Sequence, residues 1–278
     1  MRNIKIVADS SADLLQLEGL EFAVAPLKIV TDGKEFVDDA NLDPQEMVAW
    51  FDSYKGKSKT SCPNAQDWID AFGDAEEVFC VTITSGLSGS YNSAVAAKQM
   101  YEAENPGAKV FVLDSLSAGP ELVLHIEELV RCIQADMPFQ EICERIEGYK
   151  KRCGLVFMLG SLKNFAANGR VSPAIAKIAG VLNIRIVGKA SDAGTLEPMH
   201  KCRGEAKSLA AMLEHMLTEG LHKGKVRIAH CLNSSAAEAL KEKLLAAVPN
   251  VQVTIHKLRG LCSYYAEKGG LLVGFEKC

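Results

Sequence analysis

The sequence predicts an α/β fold divided into two lobes. Short apolar segments of strand type alternate with amphipathic helical segments along the chain, and this β-then-α order is typical of a parallel sheet wrapped by helices. The length of 278 residues exceeds that of a typical single domain, which favours two. We therefore expect an N-terminal domain over residues 1–155 and a C-terminal domain over residues 156–278.

Turn signals and apolar runs define the strands. An Asp-Gly turn at 32–33 predicts a hairpin between an apolar stretch at 22–31 and a strand at 34–37. In the second half, the order of the segments between 225 and 258 predicts another β-α-β unit. The other predicted strands lie at 3–8, 77–83, 109–113, 155–159, 184–187, 195–201 and 269–275.

Capping residues and helical periodicity define the helices. Asp43 followed by Pro44 predicts a helix start, and Asn64 can cap a second helix after a linker at 55–62. The other predicted helices lie at 91–103, 121–135, 139–151, 161–167, 173–182, 203–219 and 234–246.

Composition excludes several classes of protein. The chain is 48% hydrophobic and 24% charged, with a net charge of −4, so it is an ordinary globular sequence. A dedicated nucleic-acid binder would be basic. The longest apolar runs fall short of the roughly 18 residues that span a membrane, and the N-terminus enters a strand without a signal-like apolar region. We expect a cytoplasmic protein with no stable membrane insertion.

The nine cysteines are scattered through the chain and form no metal-binding motif. They are best interpreted as reduced thiols that pack as small hydrophobic side chains. Cys62 is the one thiol that falls in a probable site loop. The histidines form no metal-spaced pair either, so no metal ligand is assigned.

Three predicted strands end in small polar loops, at residues 9–11, 84–89 and 114–117. Ligands of open parallel sheets bind beyond the carboxyl ends of the strands. Hydroxyl groups and helix N–H groups there would suit an oxyanion such as a carboxylate or phosphate. The alternative is that these Ser and Asp residues only cap the helices that follow.

Two arginines are candidate anion ligands. Arg170 lies beside a glycine, just before the helix predicted at 173–182, where a guanidinium could hold a phosphate. Arg203 stands at the start of the predicted helix 203–219, a position that disfavours a cation unless an anion is near. The alternative for Arg170 is an ordinary surface arginine in a helix–helix turn.

The sequence matches none of the common catalytic motifs that we compared with it. The segment at 86–90 resembles a nucleophile elbow, but its last glycine is shifted by one residue. Neither a dinucleotide fingerprint nor a P-loop occurs. No catalytic residue is therefore assigned.

Taken together, the short motifs resemble those of the DegV family over about the first 260 residues. The stretch from Ile83 to Ala94 carries the family's most specific signature. The motifs are Val7-Ala8-Asp9-Ser10-Ser11-Ala12-Asp13-Leu14, Thr60-Ser61-Cys62-Pro63, Ile83-Thr84-Ser85-Gly86-Leu87-Ser88-Gly89-Ser90-Tyr91-Asn92-Ser93-Ala94, Val112-Leu113-Asp114-Ser115, Gly169-Arg170-Val171-Ser172 and Cys202-Arg203-Gly204.

This resemblance implies two α/β lobes, the second with a mixed sheet, and a long-chain fatty acid such as palmitate in an apolar tunnel between them. It implies that Thr60 and Ser88 hold the carboxylate, with Ser61 and Ser85 as neighbours. The loops that hold the carboxylate would belong to the N-terminal domain, and the C-terminal domain would close the cleft. No cofactor is implied beyond the bound fatty acid.

The same resemblance implies a partner. Some family members present the acid to a separate ATP-dependent fatty-acid kinase that forms an acyl phosphate for phospholipid metabolism. The binding subunit is not itself the enzyme. Arg170 and Arg203 are then candidates to meet the phosphate or the kinase.

One segment departs from the family pattern. Where members carry a His-x-Gly-Pro-Gly stretch, Tyr265 replaces the histidine and Lys268 replaces the proline. A phenol can still hydrogen-bond a carboxylate, but it does not become a cation near neutral pH. Two alternative functions stay open, a small-molecule kinase or phosphotransferase that uses the Ser/Gly loops for phosphate, and an interaction protein with a vestigial pocket.

Overall fold

The computed structural model describes residues 2–172 and 183–277. Its strands are β1 Ile4–Asp9, β2 Glu21–Ala25, β3 Lys28–Thr31, β4 Glu35–Val37, β5 Ser58–Ser61, β6 Glu77–Thr82, β7 Lys109–Asp114, β8 Cys153–Leu159, β9 Ile184–Ala190, β10 Leu196–Arg203, β11 Gly224–His230, β12 Val251–Lys257 and β13 Leu271–Glu276. Its helices are α1 Pro44–Ser53, α2 Ala65–Phe72, α3 Ser90–Glu104, α4 Pro120–Gln134, α5 Phe139–Lys150, α6 Lys163–Ala167, α7 Glu205–Thr218, α8 Ser234–Ala247 and α9 Gly260–Ala266.

The first lobe contains a four-stranded parallel sheet in the order β2-β1-β6-β7. Successive side chains of a strand point to opposite faces, and both faces are covered. Ile6 and Ala8 of β1 pack with α4 and α5, whereas Val7 packs with α2 and α3. The predicted parallel sheet flanked by helices is confirmed.

A second, smaller sheet of the first lobe is antiparallel, in the order β4-β3-β5. The predicted hairpin exists as β3–β4, but the expectation of one strand over 22–31 is wrong. The chain breaks at Pro26, which has no N–H for a sheet, and the N–H of Leu27 donates to Ser10 Oγ at 3.0 Å. The prediction of a linker at 55–62 is wrong, because this segment contains strand β5. The polar sequence of β5 gives little strand signal.

The second lobe is a six-stranded mixed sheet in the order β10-β9-β8-β13-β11-β12. One face packs under α7 and α8 through Val156, Met158 and Val187. Leu155, Phe157 and related side chains on the opposite face pack toward α1, α9 and the small sheet. The predicted β-α-β unit is β11-α8-β12, and its two strands are parallel.

Two helix predictions need correction. Arg203 does not begin a helix, because it is the last residue of β10 and pairs with Ile184. Gly204, at a positive φ of 83°, then separates the strand from α7. Helix α9 had no prediction at all, and the helix predicted at 173–182 lies outside the described residues.

Helix α4 joins the two lobes. It packs against β11 and β13, and Glu127 accepts hydrogen bonds from Lys225 at 2.9 Å and from Arg227 at 2.6 and 2.7 Å. Gly274 of β13 permits this approach, because a Cβ there would lie 2.6 Å from the backbone of Glu121. The lobes are therefore held by packing and by ion pairs.

The described cysteines are free thiols, most of them buried, as the sequence predicts; Cys278 lies outside the described residues. Over residues 2–172 and 183–277, the structure contains no helix with the length and apolar character required to cross a bilayer.

Candidate functional site

A cavity of about 340 Å³ lies between the lobes. Leu27, Ile83 and Ala118 line it from the first lobe, and Leu155 and Leu159 line it from β8 of the second. Most of its wall is aliphatic or aromatic. Such a space suits an apolar chain rather than a sugar or nucleotide.

One side of the cavity lining is polar, and its residues are half-buried or exposed. We call this side the mouth. Five residues that the sequence singled out line it together, and they come from β5, from the loop before α3, from the turn after α6 and from α9: Thr60, Ser61, Ser88, Arg170 and Tyr265. The structure thus brings together residues separated by up to about two hundred positions in the chain. These hydroxyl groups and the guanidinium form a polar side of a mostly apolar space, whose lining also includes the polar residues Thr84, Ser117, Lys189 and Thr195.

Strand β5 and helix α9 are connected through hydroxyl groups. Thr60 Oγ1 and the Tyr265 hydroxyl lie 2.7 Å apart, and so do Ser58 Oγ and the Tyr264 hydroxyl. Ser58 and Thr60 stand two residues apart, so they share one face of the strand. Consecutive tyrosines of one helix therefore reach alternate residues of one strand.

The loop that carries Ser88 is held at both ends. Asp9 accepts hydrogen bonds from the N–H of Ile83 at 2.8 Å and from Ser90 Oγ at 2.6 Å. In the middle, Arg170 Nε donates to the carbonyl of Leu87 at 3.1 Å. The predicted clustering of the strand-end loops is confirmed, and most of its polar groups satisfy one another.

The loop glycines approach protein atoms closely. A Cβ on Gly86 would lie 2.6 Å from the Ala193 carbonyl oxygen in the β9–β10 turn, and one on Gly89 would lie 3.3 Å from Cys62 Sγ. Gly86 thus lets the second lobe close on the first. Its small size serves this contact.

The electrostatic character of the cavity favours an anion. Its lining in the described part of the chain includes Arg170 and Lys189 but no carboxylate and no histidine. Burial raises the pKa of the Tyr265 phenol, which keeps this hydroxyl a neutral hydrogen-bond donor at neutral pH. Burial also raises the pKa of the Cys62 thiol, so Cys62 has no sign of an activated thiolate.

Two predicted site residues lie elsewhere. Ser85 is exposed, its N–H donates to Asp114 Oδ1 at 3.0 Å, and its side chain is outside the described cavity lining. Arg203 is exposed at the end of β10 and is likewise outside that lining. Neither position tests their predicted roles, which stay predictions.

Asn168 and Tyr264 support the site without lining the cavity, and the sequence did not predict a role for either. Asn168 Oδ1 accepts the N–H of Thr60 at 3.1 Å, and its Nδ2 donates to the Tyr264 hydroxyl at 3.0 Å. A consecutive pair of tyrosines in a chain with six is the available sequence signal. Nothing local to Asn168 points to a contact 108 residues away.

Over residues 2–172 and 183–277, no group of three or more His, Cys, Asp or Glu side chains is arranged to hold a metal ion. The polar side chains at the cavity mouth are those of Thr60, Ser61, Ser88, Arg170 and Tyr265, which are hydroxyls and a guanidinium.

The fold and the cavity define a two-lobed α/β protein with an apolar space between the lobes and a hydroxyl-rich mouth. Comparison with known sequences gives the family. The sequence model described as "Uncharacterised protein, DegV family" matches residues 3–277, and the chain belongs to the DegV family. A DegV domain-containing protein of Streptococcus pneumoniae is 41% identical over 276 residues, 98% of each chain.

Two solved structures are similar throughout. A DegV family protein from Eubacterium eligens, loaded with heptadecanoic acid, has a TM-score of 0.97 and 42% identity, covering 99% of this chain and 100% of that chain. The Streptococcus pneumoniae Fatty Acid Kinase (Fak) B3 protein, loaded with linoleic acid, has a TM-score of 0.97 and 40% identity, covering 100% of both. The predicted two-lobed α/β architecture is confirmed.

Proposed function

We propose that the chain binds a long-chain fatty acid in the cavity between its lobes, with the carboxylate at the hydroxyl-rich mouth. The observation that carries the proposal is the pairing of an apolar cavity with a mouth lined by Thr60, Ser88 and Arg170. Two relatives of about two-fifths identity that were crystallised with fatty acids support it.

The apolar wall supplies most of the affinity. Each buried methylene contributes about 0.8 kcal/mol, so a long acyl chain gains on the order of 10 kcal/mol before the cost of ordering. A hydrogen bond to a charged group adds about 1.5–3 kcal/mol. The apolar wall of the cavity therefore supplies most of the binding free energy, and the hydroxyls of the mouth orient the carboxylate.

We assign the carboxylate to Thr60 and Ser88, with Ser61 and Tyr265 beside them. A carboxylate only accepts hydrogen bonds, so the Thr60 hydroxyl must point its hydrogen at the ligand. The bond between Thr60 and Tyr265 is then donated by the phenol. Ser85 stays a proposed neighbour through its loop, although its side chain is exposed.

We also propose that the bound acid is presented to a separate ATP-dependent fatty-acid kinase and that this chain is not the enzyme. The likeness to the Fatty Acid Kinase (Fak) B3 protein supports this role, and the sequence lacks a P-loop. Arg170 and Arg203 are the proposed contacts to the phosphate or the kinase. Arg170 already bonds the loop of Ser88, so it could link partner contact to the head group.

We propose that the two domains contribute different parts of the binding site. We assign the carboxylate loops to the domain over residues 1–155 and the closing wall to the domain over residues 156–278. Strand β8, which begins at Cys153, carries Leu155, Phe157 and Leu159 into the cavity.

Mass spectrometry after organic extraction of the purified protein tests the binding function. We expect about one fatty acid per chain. Ala118→Trp, which fills the cavity, should recover several-fold less acid, whereas Ala103→Trp at an exposed position should match the wild type. An empty protein that hydrolyses ATP alone would support the phosphotransferase alternative, and an empty, inert one would support an interaction protein.

A further inference from the structure

We propose that Asn168 is a positioning residue of the carboxylate site, because its side-chain amide accepts the backbone N–H of Thr60 and donates to the hydroxyl of Tyr264, the neighbour of Tyr265. The inference rests on the proposed function and adds a residue to it. Asn168 is the C-cap of α6 in the second lobe, whereas Thr60 belongs to β5 in the first.

All the polar groups of the Asn168 side chain are used. Oδ1 accepts from the N–H of Thr60 at 3.1 Å. Nδ2 donates to the carbonyl of Asn164 at 2.9 Å and to the Tyr264 hydroxyl at 3.0 Å. A backbone N–H can only donate and a backbone carbonyl can only accept, so the orientation of the amide is determined.

The contact with Thr60 satisfies the edge of a sheet. Strand β5 is an outer strand of the order β4-β3-β5, and the outward N–H groups of such a strand need partners other than strand neighbours. Asn168 supplies that partner at the residue whose hydroxyl faces the ligand. Strand β5 is therefore held by β3 along one edge and by Asn168 at Thr60 on the other.

The amide also orients one neighbouring hydroxyl, that of Tyr264. Because the Tyr264 hydroxyl accepts from Asn168 Nδ2, its own hydrogen is available for Ser58 Oγ, 2.7 Å away. Five residues are thus connected, with the link from Asn168 to Thr60 made by the Thr60 backbone N–H: Ser58, Tyr264, Asn168, Thr60 and Tyr265. A bound carboxylate only accepts, so the Thr60 hydroxyl would donate to it and Tyr265 would donate to Thr60.

An aspartate cannot replace this amide. Its carboxylate could still accept from Thr60, but it would face the Asn164 carbonyl without a donor, and the Tyr264 hydroxyl would have to turn its hydrogen away from Ser58 toward the carboxylate. It would also put a negative charge near the ligand head group. The chemistry at position 168 therefore requires both an acceptor and a donor.

The experiment uses carboxyl-¹³C-labelled oleic acid as the probe, with the bound carboxyl resonance and the calorimetric affinity as readouts. Asn168→Ala should shift that resonance and weaken binding about 3- to 10-fold, as expected for one or two lost hydrogen bonds. The matched control is Asn105→Ala. Asn105 is also a helix C-cap, and its Nδ2 donates to the Tyr101 carbonyl at 2.9 Å, but Tyr101 does not line the cavity, whereas Thr60, the partner of Asn168, does.

Asn168→Asp provides a second test that keeps the shape of the side chain. We expect it to weaken binding at least as much as the alanine variant at neutral pH, and to shift the resonance. If both variants at position 168 give the wild-type resonance and affinity, the inference is wrong while the proposed function stands. A wild-type protein that binds no oleic acid overturns the proposed function, and the inference with it.

Discussion

Two hydroxyl-rich regions of the first lobe look alike in sequence but differ in structure. The inner cluster consists of Asp9, Ser11 and Ser90, all fully buried. The mouth consists of Thr60 and Ser88, half-buried at the entrance of the cavity. In the inner cluster, the hydroxyls donate to Asp9 at 2.5 and 2.6 Å.

The difference shows what makes a polar loop a binding site. Buried polar groups must be hydrogen-bonded, and the inner cluster meets this requirement internally, so it has little to offer a ligand. At the mouth, Thr60 has one hydroxyl partner in Tyr265 and retains capacity for another. Side-chain availability, rather than the number of hydroxyls, separates the site from its support.

Removing the inner carboxylate should have the largest effect of the changes considered. Asp9→Asn replaces an acceptor by a donor that faces the Ile83 N–H or the Ser90 hydroxyl, so we expect a loss of about 2–3 kcal/mol in the free energy of unfolding. Urea denaturation measures it. If the loss is below that of surface substitutions, about 0.5 kcal/mol, the supporting role of the inner cluster is wrong.

The matched control for this substitution is Asp43→Asn. Asp43 caps α1 by accepting from the N–H groups of Gln45 and Glu46, and asparagine caps a helix about as well as aspartate. We expect the stability of this variant to stay within about 0.5 kcal/mol of the wild type. A large loss of stability in Asp43→Asn would mean that any Asp-to-Asn change destabilises the protein, whether or not the carboxylate is buried.

A charge change at the mouth should give the next largest effect. Burial raises the pKa of Tyr265 above its ordinary value, so the wild-type affinity for dodecanoic acid should be flat between about pH 6 and 9. In Tyr265→His, the imidazole gains a proton as the pH falls through about 6.5. The cation attracts the carboxylate, so affinity should rise by up to about tenfold at lower pH.

Calorimetry across this pH range measures the effect, and Tyr265→Phe is the control, because it removes the hydroxyl and adds no titratable group. We expect the Phe variant to bind more weakly at every pH and without a slope. A wild-type titration step near neutral pH would contradict the assignment of a neutral phenol at the mouth.

The smallest effect should come from a single hydroxyl of the mouth. Ser88→Ala removes one proposed donor to the carboxylate, so we expect binding of oleic acid to weaken by a small factor, about 3- to 10-fold. Ser53→Ala, at an exposed serine of α1 outside the cavity lining, should leave the affinity unchanged. Calorimetry with several acids that shows no change for Ser88→Ala would refute its role.

Local patterns predicted most of the fold. Asp43 and Asn64 cap α1 and α2 as expected, because capping depends on the next three residues alone. Strand β5 and helix α9 were not predicted, because their sequences carry weak local signals. Both are placed by contacts with distant segments. Arg203 was misplaced because Gly204, not the arginine, separates β10 from α7.

The sequence by itself determined the α/β class, the family motifs and the residue types of the mouth, because these depend on local order and side-chain chemistry. Only the tertiary structure decided which hydroxyls are saturated and which face the cavity. The bond from Asn168 to Thr60 spans 108 residues, and the pairing of Thr60 with Tyr265 spans 205. Hydrogen-bond saturation depends on such distant contacts, and no local pattern in the chain encodes it.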